Sequence, residues 1–253
     1  MQLHHEYSRA VSTQAKGTIV LIHGLFGSLS NLGMIARAFQ DDFDIIQLDL
    51  RNHGRSENDA QISYAQMAFD VLETLNARQV QNFIVIGHSM GGKVAMKIAD
   101  LADSRVDKLI VLDMAPVAYT NRHHDQIFEA LFDVASAQVE SRKQATEIMQ
   151  NKINELGVIQ FLLKSFDHGQ WRFNVQALYQ NYDTIISWCN ISLNSTPSLF
   201  IRGANSPYLA QEAYLEAIQM QFDHAQVVTV ENAGHWLHAE QPEKVIQLIR
   251  DFI

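Results

Sequence analysis

The sequence predicts an α/β fold in which a mostly parallel sheet is flanked by helices and carries an inserted helical cap. Short apolar runs rich in β-branched residues alternate with amphipathic helical patterns, as in a parallel sheet covered on both faces. The alternation stops between residues 117 and 190, where the patterns are mainly helical, and resumes after Pro197. With 253 residues, 47% of them hydrophobic, the chain is long enough for one large core with an insertion.

The predicted elements follow one another with short connections. In the first part, strands are expected at Thr18–Ile22, Phe43–Leu48, Phe83–Ile86 and Lys108–Leu112, and helices at Leu32–Phe39, Tyr64–Leu75 and Lys93–Leu101. Ser63 and Gln66 have the spacing of a capping box, which indicates where the second helix begins. The later part predicts a strand at Ser198–Ile201, a helix near Leu209–Met220, a strand at Gln226–Val230 and a last helix opened by Pro242.

The domain prediction is a core of residues 1–116 and 191–253 with a helical cap at residues 117–190. Within the cap, Ile127, Phe128, Leu131, Phe132 and Ala135 share one helical face. A second cap helix is expected from Ser141 to Leu156, ending at Gly157. The cap is also rich in aromatic residues, and those that face the core would favour an apolar acyl group.

The run Ile84–Gly92, I-V-I-G-H-S-M-G-G, places a serine where a strand passes directly into a helix. In so tight a corner, side chains at Gly87 and Gly91 would collide. This G-x-S-x-G pattern is typical of a nucleophile elbow, which exposes the hydroxyl and directs the N-terminus of the next helix toward it. Ser89 is therefore the candidate nucleophile. The structural alternative is a glycine-rich turn with an N-capping serine.

A serine nucleophile needs a histidine base, and the chain has 11 histidines. His235 is favoured because it follows the last predicted strand in A-G-H-W-L-H-A-E, where Gly234 allows a sharp turn back over the strand ends. His238 lies too close to the final helix, and His88 is expected to point away from the elbow. The alternative for His235 is an ordinary surface-loop histidine.

The acid that orients the base is expected at Asp113, which ends a strand in L-I-V-L-D-M-A-P. The loop after the later strand, Gly203 to Pro207, contains no carboxylate, although an acid is more usual there. Asp113 could otherwise cap the turn before Pro116. Ser206 or Asn205 is expected to give His235 a further hydrogen bond.

The loop His23 to Ser28, H-G-L-F-G-S, can offer backbone N–H groups to an oxyanion. Leu25 and Met90 are the predicted donors, with Phe26 left open as a replacement for Leu25. A simple strand-to-helix turn is the alternative for this loop. The stretch Asp49 to Ser56, D-L-R-N-H-G-R-S, is expected to brace it, with its two arginines structural or solvated.

These motifs together resemble the α/β-hydrolase superfamily along the whole chain. The quoted loop, elbow and D-L-R-N-H-G-R-S stretch, with W-R-F-N-V and N-S-P-Y, are most similar to bacterial carboxylesterases of the YbfF type. The resemblance implies the α/β-hydrolase fold, with Ser89, Asp113 and His235 at matching positions, and hydrolysis of esters, extending to acyl-CoA thioesters. The later loop lacks the acid that the superfamily pattern usually has there. This difference affects only the identity of the residue that orients the histidine.

The leading function is therefore a serine carboxylesterase that works through an acyl-enzyme and needs no cofactor. Other triad chemistry on the same fold, such as carbon–carbon bond hydrolysis or perhydrolysis, is the first alternative. A non-catalytic ligand receptor on the same scaffold is the second. The expected partner is a small-molecule ester or thioester, and the expected state is a monomer or a small homo-oligomer.

Composition argues against several other classes of protein. A net charge of −9 and a pI near 5.6 disfavour nucleic-acid and anionic-membrane surfaces. The single Cys189 cannot form an internal disulfide, and neither a signal peptide nor an apolar span of ~20 residues is present, so a cytoplasmic protein is expected. Adjacent pairs such as His123–His124 do not face one another on a helix, so no metal site is predicted.

Overall fold

Within residues 1–253, which the computed structural model describes except for the side chain of Asp103, the centre of the protein is a seven-stranded sheet. The strand order is β1-β3-β2-β4-β5-β8-β9, and only the edge strand β1 is antiparallel to its neighbour. The strands are β1 (His5–Ser8), β2 (Thr18–Ile22), β3 (Asp44–Leu48), β4 (Phe83–His88), β5 (Val106–Leu112), β6 (Phe166–Asp167), β7 (Gln170–Trp171), β8 (Ser198–Gly203) and β9 (Ala225–Val230). β6 and β7 form a separate short hairpin.

Helices connect the strands and cover both faces of the sheet. They are α1 (Gly33–Phe39), α2 (Tyr64–Ala77), α3 (Met90–Ala102), α4 (Asp125–Ser136), α5 (Arg142–Met149), α6 (Leu156–Leu163), α7 (Val175–Gln180), α8 (Tyr182–Ile186), α9 (Glu212–Gln221), α10 (Leu237–Glu240) and α11 (Pro242–Phe252). In the described part of the chain, no helix combines the length and the apolar character that a bilayer crossing requires.

The sheet separates two apolar clusters, because successive side chains of a strand point to opposite faces. Val85 packs with α2 and α3 on one face, whereas Ile84 and Ile86 pack with α1 and α11 on the other. All six residues of β4 are buried, as expected for a strand in the middle of a parallel sheet. Ser89, which follows β4, is therefore held at the end of a buried central strand.

The predicted α/β fold and its main strands are confirmed, and several details differ. Strand β1 was not predicted, because its sequence H-E-Y-S is polar. It pairs at the sheet edge, where Glu6 and Tyr7 stay exposed. Helix α3 begins at Met90 and not at Lys93, and Leu101 is exposed although it was expected on the buried face. Helix α2 begins after Ser63 as predicted, and the Ser63 hydroxyl accepts the Gln66 N–H. Only this half of the capping box forms among the described contacts, and the Gln66 side-chain oxygen accepts from the Ser63 hydroxyl instead.

The expected helix from Ser141 to Leu156 is wrong. The helix ends at Met149, the chain turns at Asn151 and Lys152, and Ile153 is buried beyond the turn. Asparagine is a weak helix former, which favours such a break. Gly157, expected to end a helix, instead lies in the first turn of α6.

Residues 117–190, here called the cap segment, lie between β5 and β8 and contain α4 to α8 with the short hairpin. Several hydrogen bonds join this segment to loops that follow sheet strands. The Asn174 N–H donates to the Asn52 carbonyl at 2.9 Å, and the Ser165 hydroxyl donates to the Phe26 carbonyl at 3.2 Å. The division into a core and a cap domain stays a prediction.

Replacing Gly157 with alanine should stabilise the protein by about 0.5 kcal/mol, because alanine is the better helix former and loses less backbone freedom on folding. A Cβ at this exposed position would meet no atom within 4 Å. Urea unfolding of the variant and the wild type measures the difference. Gly203→Ala is the matched control and should be destabilising, since its Cβ would lie 2.2 Å from the Gly234 carbonyl oxygen. Equal stability of the two variants would contradict the difference in packing between these glycines.

Candidate active site

Ser89 occupies a strained corner between β4 and α3. Its φ is +54°, in the left-handed region, and its N–H donates to the Leu112 carbonyl at 3.0 Å. A Cβ on Gly87 would lie 2.1 Å from the Gly91 carbonyl oxygen, and one on Gly91 would lie 2.4 Å from the Ile22 carbonyl oxygen. The turn therefore requires both glycines, as the elbow pattern predicted, and it leaves the serine side chain at the strand ends.

His235 lies between Ser89 and Asp113. Its Nε2 is 2.9 Å from Ser89 Oγ, and its Nδ1 is 2.7 Å from Asp113 Oδ2. Because a carboxylate can only accept, Nδ1 carries the proton and Nε2 is free to accept the serine proton. The ring stacks on Tyr208 with the centroids 4.2 Å apart. The structure thus brings together the three residues that the sequence singled out.

The carboxylate of Asp113 is fully buried at the end of β5. Its Oδ1 accepts from the Gly203 N–H at 3.0 Å, and its Oδ2 accepts from His235 and from the Ser206 hydroxyl. A buried carboxylate needs such donors to offset the loss of water. The expectation that Ser206 or Asn205 bonds to His235 is therefore corrected, because the Ser206 hydroxyl donates to Asp113 and, among the described contacts, neither residue bonds to His235.

Leu25 and Met90 remain the predicted oxyanion donors, and Phe26 is no longer an equal alternative. The Phe26 N–H donates to Nε2 of His53 at 3.2 Å, so it is already engaged. In the described part of the chain, neither the Leu25 nor the Met90 N–H has a protein acceptor. Phe26 has a φ of +62°, and the Gly27 N–H closes the turn onto the Gly24 carbonyl at 3.0 Å.

The stretch Asp49 to Ser56 braces this loop, as expected, because Nε2 of His53 accepts the Phe26 N–H and Nε2 of His23 accepts the Leu50 N–H. Asp49 accepts from the Leu29 N–H at 2.7 Å and from the Arg55 N–H at 3.0 Å. Arg51 forms a buried ion pair with Asp70 at 2.7 Å, whereas the Arg55 side chain is exposed. The stretch therefore acts through structure, and neither arginine approaches the serine.

Two other histidines lie next to His235 and stay neutral. Nε2 of His88 bonds to the His235 carbonyl at 2.8 Å, and the His238 ring packs against His88 with the centroids 4.4 Å apart. Burial, together with its neighbours His238 and His235, holds the pKa of His88 well below its ordinary value. Burial lowers the pKa of His238 to about 3. The His88 ring therefore supports the backbone of His235, and the His238 ring packs against His88.

His124 is a site residue that the sequence did not identify. It lines the cavities beside Ser89, and its Nδ1 lies 2.6 Å from the hydroxyl of Tyr182. Burial lowers the pKa of His124 to about 4, so the ring is neutral near pH 7. The only sequence signal was the pair His123–His124, which raised the question of a metal. Among the described residues, no group of three or more His, Cys, Asp or Glu side chains could hold one.

Lys93 is also unpredicted, and its side chain is buried one helical turn after Ser89. Its Nζ donates to the carbonyls of Ser187 at 2.9 Å and Ile186 at 3.3 Å, which ties the end of α8 to α3. The rings of Tyr119 and Trp188 surround it, 4.8 and 6.0 Å away. Among the residues that the structure describes, no carboxylate pairs with it. Burial lowers the pKa of Lys93 to about 7.

Comparisons with known proteins identify the family to which this chain belongs. The model of the alpha/beta hydrolase family matches residues 19–248. Esterase YbfF of Escherichia coli is 46% identical over 253 residues, which cover 100% of this chain and 99% of that protein. The sn-1-specific diacylglycerol lipase ABHD11 of Xenopus laevis is 33% identical over 247 residues, which cover 93% of this chain and 79% of that protein. The solved structure of a marine microorganism esterase aligns over 100% of both chains, with a TM-score of 0.93 and 32% identity.

Replacing Lys93 with methionine should change how stability depends on pH. The lysine has a pKa of about 7 in the folded protein against 10.5 ordinarily, so between these values the unfolded chain binds more protons. The free energy of unfolding of the wild type, relative to Lys93→Met, should therefore rise with pH in this window by up to about 1.4 kcal/mol per unit. Below pH 7 the difference should level off.

Urea unfolding of both proteins from about pH 6 to about pH 9 measures this difference. Groups that titrate equally in the two proteins cancel in the comparison. A difference that stays constant across the range would contradict the perturbed pKa of Lys93.

Proposed function

Because the chain belongs to the alpha/beta hydrolase family and is a carboxylic ester hydrolase, we propose that Ser89, His235 and Asp113 hydrolyse small acyl esters through an acyl-enzyme. One observation carries this proposal. A single imidazole lies within hydrogen-bond distance of a serine hydroxyl at Nε2 and of a buried carboxylate at Nδ1. This arrangement supports general-base activation of the serine.

In the acylation step, Ser89 Oγ attacks the ester carbonyl carbon while Nε2 of His235 takes the serine proton. The imidazolium that forms lies against the Asp113 carboxylate, which stabilises its charge. The N–H groups of Leu25 and Met90 are proposed to bind the developing oxyanion, and the N-terminus of α3 adds to this field. His235 then returns the proton to the alkoxy oxygen as the alcohol leaves.

In the second step, water attacks the acyl carbon while His235 takes its proton, and His235 then gives that proton to Ser89 Oγ as the bond to the acyl group breaks and the acid leaves. The Ser206 hydroxyl supports this cycle indirectly, because it donates to the carboxylate that orients His235. Acyl-CoA thioesters would form the same acyl-enzyme with a thiol as the leaving group, and their hydrolysis stays a prediction. The cytoplasmic location and the oligomeric state also stay predictions.

The names of the relatives weigh against the alternatives considered from the sequence. Two are called esterases and one a diacylglycerol lipase, all of which cleave carboxylic esters. A non-catalytic receptor is therefore set aside. Carbon–carbon bond hydrolysis and perhydrolysis could use the same three side chains, but no observation in this structure favours them over ester hydrolysis.

Ser89→Ala should abolish ester hydrolysis, with a loss on the order of 10⁴-fold or more, and leave thermal unfolding nearly unchanged. The reason is that the hydroxyl contributes to the chemistry and little to packing. A fluorophosphonate should label the wild type on the Ser89 peptide, as read by mass spectrometry, and leave the variant unlabelled. Near-normal hydrolysis by clean Ser89→Ala protein would end the serine-esterase proposal.

Asp113→Asn should lower kcat by about 10⁴-fold, because an amide cannot stabilise the imidazolium. Ser206→Ala removes one of the donors to the same carboxylate and should cost about tenfold to a hundredfold. Steady-state kinetics of the two variants on one ester make the comparison. A greater loss in Ser206→Ala would show that Asp113 is not the orienting acid.

A further inference from the structure

Two separate cavities meet at Ser89. The Lys93 cavity is lined by the lysine together with Tyr64, Met114, Tyr119 and Ile186, among others. The Phe161 cavity is lined by Phe161 together with Ile127, Val158, His235 and Trp236, among others. Leu25, Ser89 and His124 belong to both. An ester whose carbonyl lies at Ser89 would therefore extend one arm into each cavity.

The two cavities are of similar size, so size does not say which arm of the ester each one takes. The direction of proton transfer decides which arm each cavity takes. When the C–O bond of the tetrahedral intermediate breaks, its electron pair goes to the alkoxy oxygen, which receives the proton from Nε2 of His235. The alcohol must therefore leave on the side where His235 forms the wall, and His235 lines the Phe161 cavity.

We propose that the Phe161 cavity is the leaving-group subsite and takes an apolar alcohol, whereas the Lys93 cavity takes the acyl chain. This assignment rests on the proposed function, since it requires His235 to act as the acid in the acylation step. After the alcohol leaves, the emptied side is also where water reaches the acyl carbon, with His235 beside it as the base.

The walls of the Phe161 cavity determine the class of alcohol. Phe161 and Val158 of α6 and Ile127 of α4 face Trp236, which follows the proposed base in the chain. The Phe161 and Trp236 rings are 5.6 Å apart, so the cap segment and the core close this cavity together. Among the described residues that line it, none is an Asp, Glu, Lys or Arg. An alkyl or aryl alcohol fits such walls better than a charged or polyhydroxylated one.

Two series of esters separate the cavities. The first is the acetates of unbranched primary alcohols from ethanol to hexanol, which differ little in acidity, so that contact with the alkyl chain dominates the differences. The second is the ethyl esters of unbranched acids from acetic to hexanoic. For each protein, the ratios of kcat/KM for hexyl to ethyl acetate and for ethyl hexanoate to ethyl acetate are measured.

Phe161→Ala should lower the hexyl-to-ethyl ratio by on the order of tenfold and leave the acyl ratio within about twofold. Ile127→Ala, on another helix, should act in the same direction, so the test does not depend on one variant folding. Ile186→Ala in the Lys93 cavity is the matched control and should change the acyl ratio alone. Partial unfolding of a variant lowers its rates on all the esters by the same factor, so the two ratios still report the specificity of the folded protein.

The outcomes distinguish this assignment from the proposed function. If wild-type protein hydrolyses none of the esters, the proposed function fails and the assignment falls with it. If it hydrolyses them, but Phe161→Ala and Ile127→Ala leave the alcohol ratio unchanged or alter the acyl ratio instead, the assignment alone is overturned.

Discussion

The burial of one negative charge organises the end of the sheet where Ser89 and His235 lie. Asp113 is fully removed from solvent, and a carboxylate in that position is tolerated only when donors surround it. The donors come from separate parts of the chain: the end of β8, the loop that follows it, and the loop after β9. The requirement to satisfy this carboxylate therefore fixes the positions of the loops that carry Gly203, Ser206 and His235.

Much of this arrangement could be predicted because local sterics and chain order determine it. The elbow follows from two positions where a Cβ would overlap backbone, and Asp113 follows from the absence of any acid between Gly203 and Pro207. The target of the Ser206 hydroxyl could not be predicted, because it depends on how two loops approach in space. The choice between Leu25 and Phe26 was equally hidden, since His53, which occupies the Phe26 N–H, is distant in sequence.

The cap segment was predictable as helical and unpredictable in detail. Its apolar spacing identified α4, but it did not show that Ile153 is buried beyond the turn after Met149, because burial depends on tertiary neighbours that a local pattern does not contain. Lys93 was missed for a related reason. A lysine on a helix is ordinarily solvated, and only the carbonyls and aromatic rings contributed by distant residues explain its burial. The same segment divides the space above Ser89 into two cavities.

Two buried histidines brace the loop from His23 to Ser28, and their hydrogen bonds form only while the rings are neutral. Nε2 of His53 accepts the Phe26 N–H and Nε2 of His23 accepts the Leu50 N–H, so each ring must be neutral at the accepting nitrogen. Burial lowers the pKa of His53 to about 3 and of His23 to about 4. Protonation of either ring at Nε2 would place two N–H donors opposite each other, and the hydrogen bond would be lost. Both hydrogen bonds therefore persist through the neutral pH range and are lost only when acid protonates the rings.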